Sequence, residues 1–339
     1  MQKIILALSA LSFFITAHSQ NEYSITSRIH IDGDGGWDYL TSDDSTGRLF
    51  VSHGTMVQVI DEQTRTVTAT ISGLNGVHGI ALAHDLNKGF ITSGRDSMLV
   101  VFDLKTLGII TKIKVTGANP DAVLYDPFSQ KVFTFNGRSS NATVVDAKTN
   151  AIAGTIALPG KPEFSVTDGN GKIFVNIEDK SELCQLDPSA MKVVNTWPIK
   201  PGKEASGLAF DKVTHRLFIV CDNKLMIVMN SDNGKVIARL PIGEGVDGVA
   251  FDPEKKRIFC SNGDGTLTIV KEENENAFKF VETLVTQKGA RTITVNKKTH
   301  YVYTPTAEFE NAPQEKDGQH KRPPLKPGTF TVLEIAPAK

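Results

Sequence analysis

Seven polar positions recur along the chain, each at the start of a short apolar stretch. When the chain is aligned on Gly248-Val249-Ala250-Phe251, the equivalent positions hold Asp38, His78, Asp121, Glu163, Ser206, Asp247 and Arg291. Carboxylates, an imidazole and a guanidinium are the groups that bind cations or polar ligands and that stabilise charge developing in a reaction. The pattern indicates a polar site if the fold brings these positions together.

Three interpretations fit these residue types. The candidate metal ligands are the carboxylates Asp38, Asp121, Glu163 and Asp247. Their oxygens suit a divalent cation such as Ca²⁺, although nothing in the pattern requires a cofactor. In a hydrolase, His78 would be the general base, Glu163 a second base or metal ligand, and Arg291 the group that stabilises an oxyanion. In a purely structural role, the carboxylates would cap backbone N–H groups at a hydrated channel mouth and pair with the arginine.

A second set of side chains adds positive charge beside His78. His53, Arg95 and Arg138 follow the second strand of the first three repeat units described below. Arginine forks on one side of a site favour a small anionic or sugar-like ligand, whereas a solvated face with scattered ion pairs is the alternative. The candidate ligand-binding residues are therefore Asp38, His53, His78, Arg95, Asp121, Arg138, Glu163, Asp247 and Arg291.

These residues are carried by a repeat of strands and turns. A basic or aromatic residue, an aliphatic or small residue and an aromatic residue open one strand of every unit. The triplets are Arg48-Leu49-Phe50, Lys88-Gly89-Phe90, Lys131-Val132-Phe133, Lys172-Ile173-Phe174, Arg216-Leu217-Phe218, Arg257-Ile258-Phe259 and Tyr301-Val302-Tyr303. Seven units with a period near forty residues predict an all-β, seven-bladed β-propeller with four antiparallel strands per blade.

The two ends of the chain predict how the ring closes. The last unit ends with a third strand at 329–335, and 25–33 resembles 236–243, which has the pattern of a fourth strand. The N-terminal strand should therefore complete the last blade and remove an open sheet edge. Because the first strand of each blade lines the channel, the seven polar positions should surround one of its mouths.

The strand motifs resemble a known family. Lys172-Ile173-Phe174-Val175-Asn176 and Tyr301-Val302-Tyr303-Thr304, with Val59-Ile60-Asp61 and Val144-Val145-Asp146 at third strands, resemble the YVTN-repeat propellers, which include exported YncE-type proteins. The resemblance covers residues 22–336 and implies the propeller fold. Because several sister groups of seven-bladed propellers are lactonases, it keeps a lactonase-like hydrolase as an alternative by analogy.

The domain plan follows from composition along the chain. Residues 1–19 have the charged start, apolar core and small-residue end of a signal peptide, with cleavage expected before Gln20, so we expect a secreted or periplasmic protein. We expect residues 20–339 to form a single propeller domain. Residues 305–328 form a long insertion in the last blade, which is either a lid, a surface loop or a partner-docking arm.

Overall charge limits the partners. Lys and Arg total 37 against 38 Asp and Glu, so no basic field indicates nucleic acid, and no apolar run after the signal peptide is long enough to span a membrane. The sequence thus predicts an exported binding or scaffold protein with a polar ligand site at the channel mouth. A hydrolase acting on a lactone or sugar acid, and a platform that docks a protein partner, are the alternatives.

Overall fold

The fold is a closed ring of seven four-stranded antiparallel sheets, as the sequence predicts. The computed structural model describes residues 21–33, 35–310 and 323–338. The predicted signal peptide and its cleavage position therefore lie outside the described residues. We number the sheets as blades 1 to 7 in chain order.

Each blade runs from an innermost to an outermost strand. Blades 1 to 3 contain β2 (Leu40–Asp43), β3 (Arg48–His53), β4 (Met56–Asp61) and β5 (Thr66–Ile71); β6 (Val77–Ala83), β7 (Lys88–Ser93), β8 (Met98–Asp103) and β9 (Ile109–Lys114); and β10 (Pro120–Asp126), β11 (Lys131–Asn136), β12 (Asn141–Asp146) and β13 (Ile152–Ala157). Blades 4 and 5 contain β14 (Pro162–Thr167), β15 (Ile173–Ile177), β16 (Glu182–Asp187) and β17 (Lys192–Pro198); and β18 (Ala205–Asp211), β19 (Arg216–Cys221), β20 (Leu225–Asn230) and β21 (Val236–Pro241). Blades 6 and 7 contain β22 (Val246–Asp252), β23 (Arg257–Asn262), β24 (Thr266–Asn274) and β25 (Ala277–Val285); and β26 (Thr294–Val295), β27 (Val302–Thr306), β28 (Thr331–Pro337) and β1 (Tyr23–His30).

The aromatic residue of each predicted triplet fills the space between two blades. Phe50, Phe90, Phe133, Phe174, Phe218, Phe259 and Tyr303 are all fully buried on the second strand of their blades. Each belongs to the apolar cluster that its blade shares with the following blade. Burying one such ring contributes about 2–3 kcal/mol, so seven equivalent contacts hold neighbouring blades together. The aromatic period of the sequence is therefore the period of the blade interfaces.

Helical structure is confined to two single 3₁₀ turns among the described residues, His84–Leu86 and Glu178–Lys180. Among the residues that the structure describes, no helix is long and apolar enough to cross a membrane.

The N-terminal strand closes the ring. β1 pairs antiparallel with β28, from Tyr23 opposite Pro337 to His30 opposite Thr331. A buried carboxylate on β28, Glu334, accepts hydrogen bonds from Arg65 of blade 1 (2.9 Å) and from the Thr26 hydroxyl of β1 (2.7 Å). One side chain thus joins the closing strand, the last blade and the first blade.

The two ends of the predicted insertion pair with each other. Phe309 lies opposite Leu325, and the Lys326 N–H donates to the Glu308 carbonyl (2.8 Å). The Phe309 ring packs against Gly289, where a Cβ would overlap it. Because Gly289 lies two residues before Arg291, these paired segments lie at the same end of blade 7 as Arg291. Residues 311–322, on which the choice between lid and surface loop depends, lie outside the described residues.

The closing contact predicts a specific loss of stability. Arg65→Met keeps the aliphatic stem but leaves the buried Glu334 carboxylate without its cation. We expect the free energy of unfolding, measured by urea denaturation, to fall by about 2 kcal/mol, less than for a wholly buried pair because the guanidinium is partly exposed. The control is Arg28→Met, which removes an exposed bond to Gln287 and should change stability by less than about 0.5 kcal/mol. Equal effects of the two substitutions would show that the contact does not hold the ring closed.

Candidate functional site

The seven aligned polar positions all lie at the same end of the innermost strands. Five of them are the second residues of β6, β10, β14, β18 and β22, while Asp38 and Arg291 precede β2 and β26. Because the innermost strands surround the channel, these positions surround one of its openings, which we call the mouth. The fold thus places the seven positions around one opening.

Three of these side chains meet in one cluster. His78 Nδ1 lies 2.5 Å from Asp38 Oδ2 and 3.5 Å from Asp121 Oδ1, so blades 1, 2 and 3 each contribute one residue. The side chains of His78, Asp38 and Asp121 are 25%, 19% and 16% exposed, so the cluster is largely shielded from solvent but still reaches it. We call Asp38, His78 and Asp121 the mouth triad. Each residue offers one ligand atom, and the three atoms lie within 4.8 Å of one another.

The electrostatics of the triad follow from its burial. Burial, and after it the charge of Asp38, raise the pKa of Asp121 to about 7 against the opposing effect of His78. Burial by itself would lower the pKa of His78, but the hydrogen bond to Asp38 and the charge of Asp121 outweigh it, so the pKa of His78 is raised. The triad is therefore a place where a positive charge is favoured.

Threonine hydroxyls hold the backbone of both triad carboxylate residues in place. The Thr92 hydroxyl accepts a hydrogen bond from the N–H of Gly79 (2.7 Å) and donates to the Asp121 carbonyl (2.5 Å), joining blades 2 and 3 beside the triad. The Thr292 hydroxyl of blade 7 donates to the Asp38 carbonyl (2.7 Å). Gly79 has no Cβ, and one built there would lie 2.9 Å from the backbone N of Val123, so only glycine lets these blades approach so closely.

The other two carboxylates of the mouth are paired with cations. Lys161 contacts Glu163 (2.5 Å) and Glu178, while Arg291 forms an ion pair with Asp247. Burial and the charge of Asp121 raise the pKa of Glu163 to about 8, although Lys161 opposes the shift. The structure thus separates the four carboxylates expected as one ligand set into two groups. Asp38 and Asp121 share an imidazole, whereas the other two already face a lysine or an arginine.

Arg291 is held on the blade 1 side of the mouth. Its Nη2 donates to the Trp37 carbonyl (3.3 Å), and its guanidinium carbon lies 5.7 Å from the centre of the Trp37 ring. Burial would lower the pKa of Arg291, but the charges of Asp247 and Asp38 raise it overall. The cation is therefore anchored by groups of the chain itself.

Two aromatic rings meet across the channel. Tyr39 of blade 1 and Phe164 of blade 4 have ring centres 5.2 Å apart, although these blades lie nearly opposite each other in the ring. Burial and the surrounding charges of Asp121 and Asp38 raise the pKa of the Tyr39 phenol. These two rings provide an apolar surface next to the charged groups of the mouth.

The second basic set is not assembled with the triad. His53 is fully buried, where its Nδ1 lies 2.7 Å from Gln58 Oε1 and its ring packs on Phe330. Arg95 and Arg138 are exposed on the loops that follow β7 and β11. The seventh aligned position, Ser206, donates to the Val246 carbonyl (3.2 Å). The mouth is thus richer in carboxylates than the concentration of basic residues in the sequence suggests.

Sequence reasoning missed Lys161, Tyr39 and Phe164. The signal for the aromatic pair is present in the alignment, because the position after each aligned polar residue is small or short in blades 2, 3, 5, 6 and 7. Only blades 1 and 4 carry an aromatic residue there. Lys161 has no counterpart in the repeat, so its role depends on side-chain reach that periodicity does not encode.

A glycine beside the triad generates a prediction. A Cβ on Gly94 would lie 2.7 Å from the His78 ring, whereas the nearest atoms to a Cβ on Gly137, the equivalent residue of blade 3, are 3.8 Å away. Because the group that must give way is a side chain, we expect Gly94→Ala to displace the imidazole from Asp38 with little loss of stability. The His78 ring signals in a long-range ¹H–¹⁵N NMR spectrum should shift in Gly94→Ala and stay in place in Gly137→Ala. An unshifted His78 in Gly94→Ala would contradict this geometry.

Comparisons with known proteins support the fold and the repeat type. No protein-family profile matches the chain. It is 27% identical over 96 residues to a Salmonella typhi protein described as uncharacterized protein YncE, and the match covers 28% of this chain and 27% of that protein. The chain therefore spans only about a quarter of the curated relative's length in this match.

Solved structures share the architecture at low sequence identity. A chain of the structure titled Kuenenia stuttgartiensis hydrazine synthase superimposes with a TM-score of 0.70 and 16% identity, covering 81% of this chain and 94% of that chain. A chain of a mitotic checkpoint complex gives a TM-score of 0.73 and 12% identity, covering 90% and 95%. These likenesses establish the fold alone. The ring of seven blades thus identifies this chain as a seven-bladed β-propeller, and over 96 residues its sequence is similar to that of a YncE protein.

Proposed function

We propose that this propeller is an exported binding protein that holds a small polar ligand at the channel mouth. The observation that carries the proposal is the mouth triad, in which charged side chains from three blades converge while remaining partly open to solvent. Shielding charged groups from water is costly unless they gain partners. The blades are already joined by apolar clusters and hydroxyl bridges, so ring stability does not require a triad at this place.

The charge of the mouth favours some ligands over others. Asp38 and Asp121, which have an imidazole rather than a lysine or arginine as partner, repel an anion, so a sugar-like ligand that donates hydrogen bonds, or a cation, fits better than a free sugar acid. The rings of Tyr39 and Phe164 supply an apolar surface of the kind that packs against the face of a sugar ring. Arg95 and Arg138 lie on exposed loops, where they are available to an acidic group at the rim.

The arrangement favours binding over hydrolysis. In the lactonase-like alternative, His78 is the base, Glu163 a second base and Arg291 the group that stabilises an oxyanion. Here Arg291 is tied to Asp247 and Glu163 to Lys161, while His78 Nε2 faces Gly94. A catalytic base and its oxyanion donor should both reach one reacting group, and these three residues are instead engaged by other groups of the chain.

The proposal is tested by ligand-dependent thermal melting. The full chain is screened, without added metal ions, against neutral sugars, sugar acids and lactones, beside His78→Gln. A ligand at about 100 times its dissociation constant stabilises the folded state by about 2.7 kcal/mol, which raises the melting temperature by a few degrees. We expect at least one compound to produce this shift in the parent and not in His78→Gln.

The matched control uses another histidine–aspartate pair. His215 Nδ1 lies 2.8 Å from Asp232, at the end of blade 5 away from the mouth, so His215→Gln should preserve the shift. A shift that His78→Gln retains in full would place the ligand elsewhere on the protein. A panel without any shift would contradict binding of these compound classes at the mouth.

A further inference from the structure

We propose that Asp38, His78 and Asp121 together bind one divalent transition-metal ion at the channel mouth. The inference rests on the site proposed above and names a ligand for it. It also changes the metal class expected from the sequence, because the structure brings an imidazole nitrogen into the donor set.

The distances in the triad are close to those between ligand atoms around one ion. Bonds of about 2.0–2.1 Å with angles of about 90–110° place neighbouring ligand atoms about 2.8–3.4 Å apart. The observed separations from His78 Nδ1, 2.5 Å to Asp38 and 3.5 Å to Asp121, lie on either side of this range. Small rotations of the three side chains would therefore admit an ion without moving the strands.

The donor set selects the metal. Ca²⁺ is bound by six to eight oxygen atoms, whereas one imidazole nitrogen with two carboxylate oxygens suits Zn²⁺, Mn²⁺ or Fe²⁺. The four carboxylates that the sequence suggests as Ca²⁺ ligands are less suitable as one ligand set. Glu163 contacts Lys161, and Asp247 pairs with Arg291. The structure thus favours a transition metal over Ca²⁺.

Charge balance also favours Asp38, His78 and Asp121 as the metal ligands. Two carboxylates and a neutral imidazole offset the charge of a divalent ion, while the other two mouth carboxylates are offset by a lysine and an arginine. Hydrogen bonds at Asp38 and Asp121 hold the backbone of both carboxylate residues in place. In the part of the chain that the structure describes, the triad is the one group of at least three such side chains with ligand atoms this close together.

The coordination would be incomplete, which fits a binding site. Three protein ligands leave at least one position of a tetrahedral ion for water or another molecule, unlike the four ligands of a structural zinc site. Each triad side chain is partly exposed towards the mouth, so that position can reach solvent. The ion would then be available to a hydroxyl or carboxylate of a second ligand.

The test is a titration of the tag-free full chain, stripped of metal with a chelator that is then removed. We expect isothermal titration calorimetry to detect one tight Zn²⁺ site per chain. His78→Gln and Asp121→Asn should each weaken binding at least about tenfold, and Gly94→Ala should do so although it retains all three ligands. Gly137→Ala and His215→Gln should bind as the parent does.

Spectroscopy separates this site from surface histidines. Co²⁺ bound by the triad should give visible absorption bands that are lost in His78→Gln and retained in His215→Gln. Thermal melting without metal confirms that each variant is folded. Parallel titrations with Mn²⁺ and Ca²⁺ test the metal class, and Ca²⁺ binding tighter than Zn²⁺ would overturn it.

The outcomes distinguish this inference from the proposed function. Absence of a tight Zn²⁺ site, or equal Zn²⁺ affinity in the parent, His78→Gln and Gly94→Ala, would overturn the metal site. If the melting shift by an organic ligand is nevertheless lost in His78→Gln, the mouth remains the ligand site. If neither the binding of Zn²⁺ nor the melting shift by an organic ligand depends on His78, both proposals fail.

Discussion

Closure of the ring is the constraint on which the rest of the structure depends. Each blade buries the aromatic residue of its second strand against the following blade, so an open ring would expose two such faces. The last blade obtains its outer strand from the start of the chain, and Glu334 joins that strand to blade 1 through Arg65. Only with this seam closed do seven innermost strands surround a common channel.

The channel then imposes its own packing rules. Where neighbouring blades approach most closely, as at Gly79, Gly207 and Gly248, a Cβ would come within 2.9 Å of the adjacent backbone. These close approaches allow short side chains such as Asp38, His78 and Asp121 to meet across blade boundaries. Larger residues occur where there is room across the channel, as with Tyr39 and Phe164. The mouth triad is therefore a consequence of the steric pattern as much as of the residue types.

The fold could be predicted from the sequence because its signal is repeated seven times. The aromatic triplets and the resemblance of residues 25–33 to the fourth strand at 236–243 both indicate one closed ring. The location of the polar positions at one mouth could also be predicted, because a position within a repeat fixes the end of the blade on which it lies. These predictions needed no knowledge of side-chain contacts.

The pairing within the site could not be predicted in the same way. Whether a carboxylate contacts His78, Lys161 or Arg291 depends on distances around the channel, which periodicity leaves open. His53 shows the same limit. It lies at the expected end of blade 1, but the segment from β1 to β2 passes over it, with Gly33 and Gly35 at positive φ close to His53 and Gly54. Ring closure requires that crossing, so closure itself buries a residue that the repeat pattern places beside the mouth.

The most direct test of the account is X-ray diffraction from crystals grown with Zn²⁺, with data collected at the zinc absorption edge. We predict an anomalous peak bounded by Asp38, His78 Nδ1 and Asp121, within bonding distance of all three. A peak confined to an exposed pair such as His215 and Asp232, with the triad side chains left in contact with one another, would contradict the account.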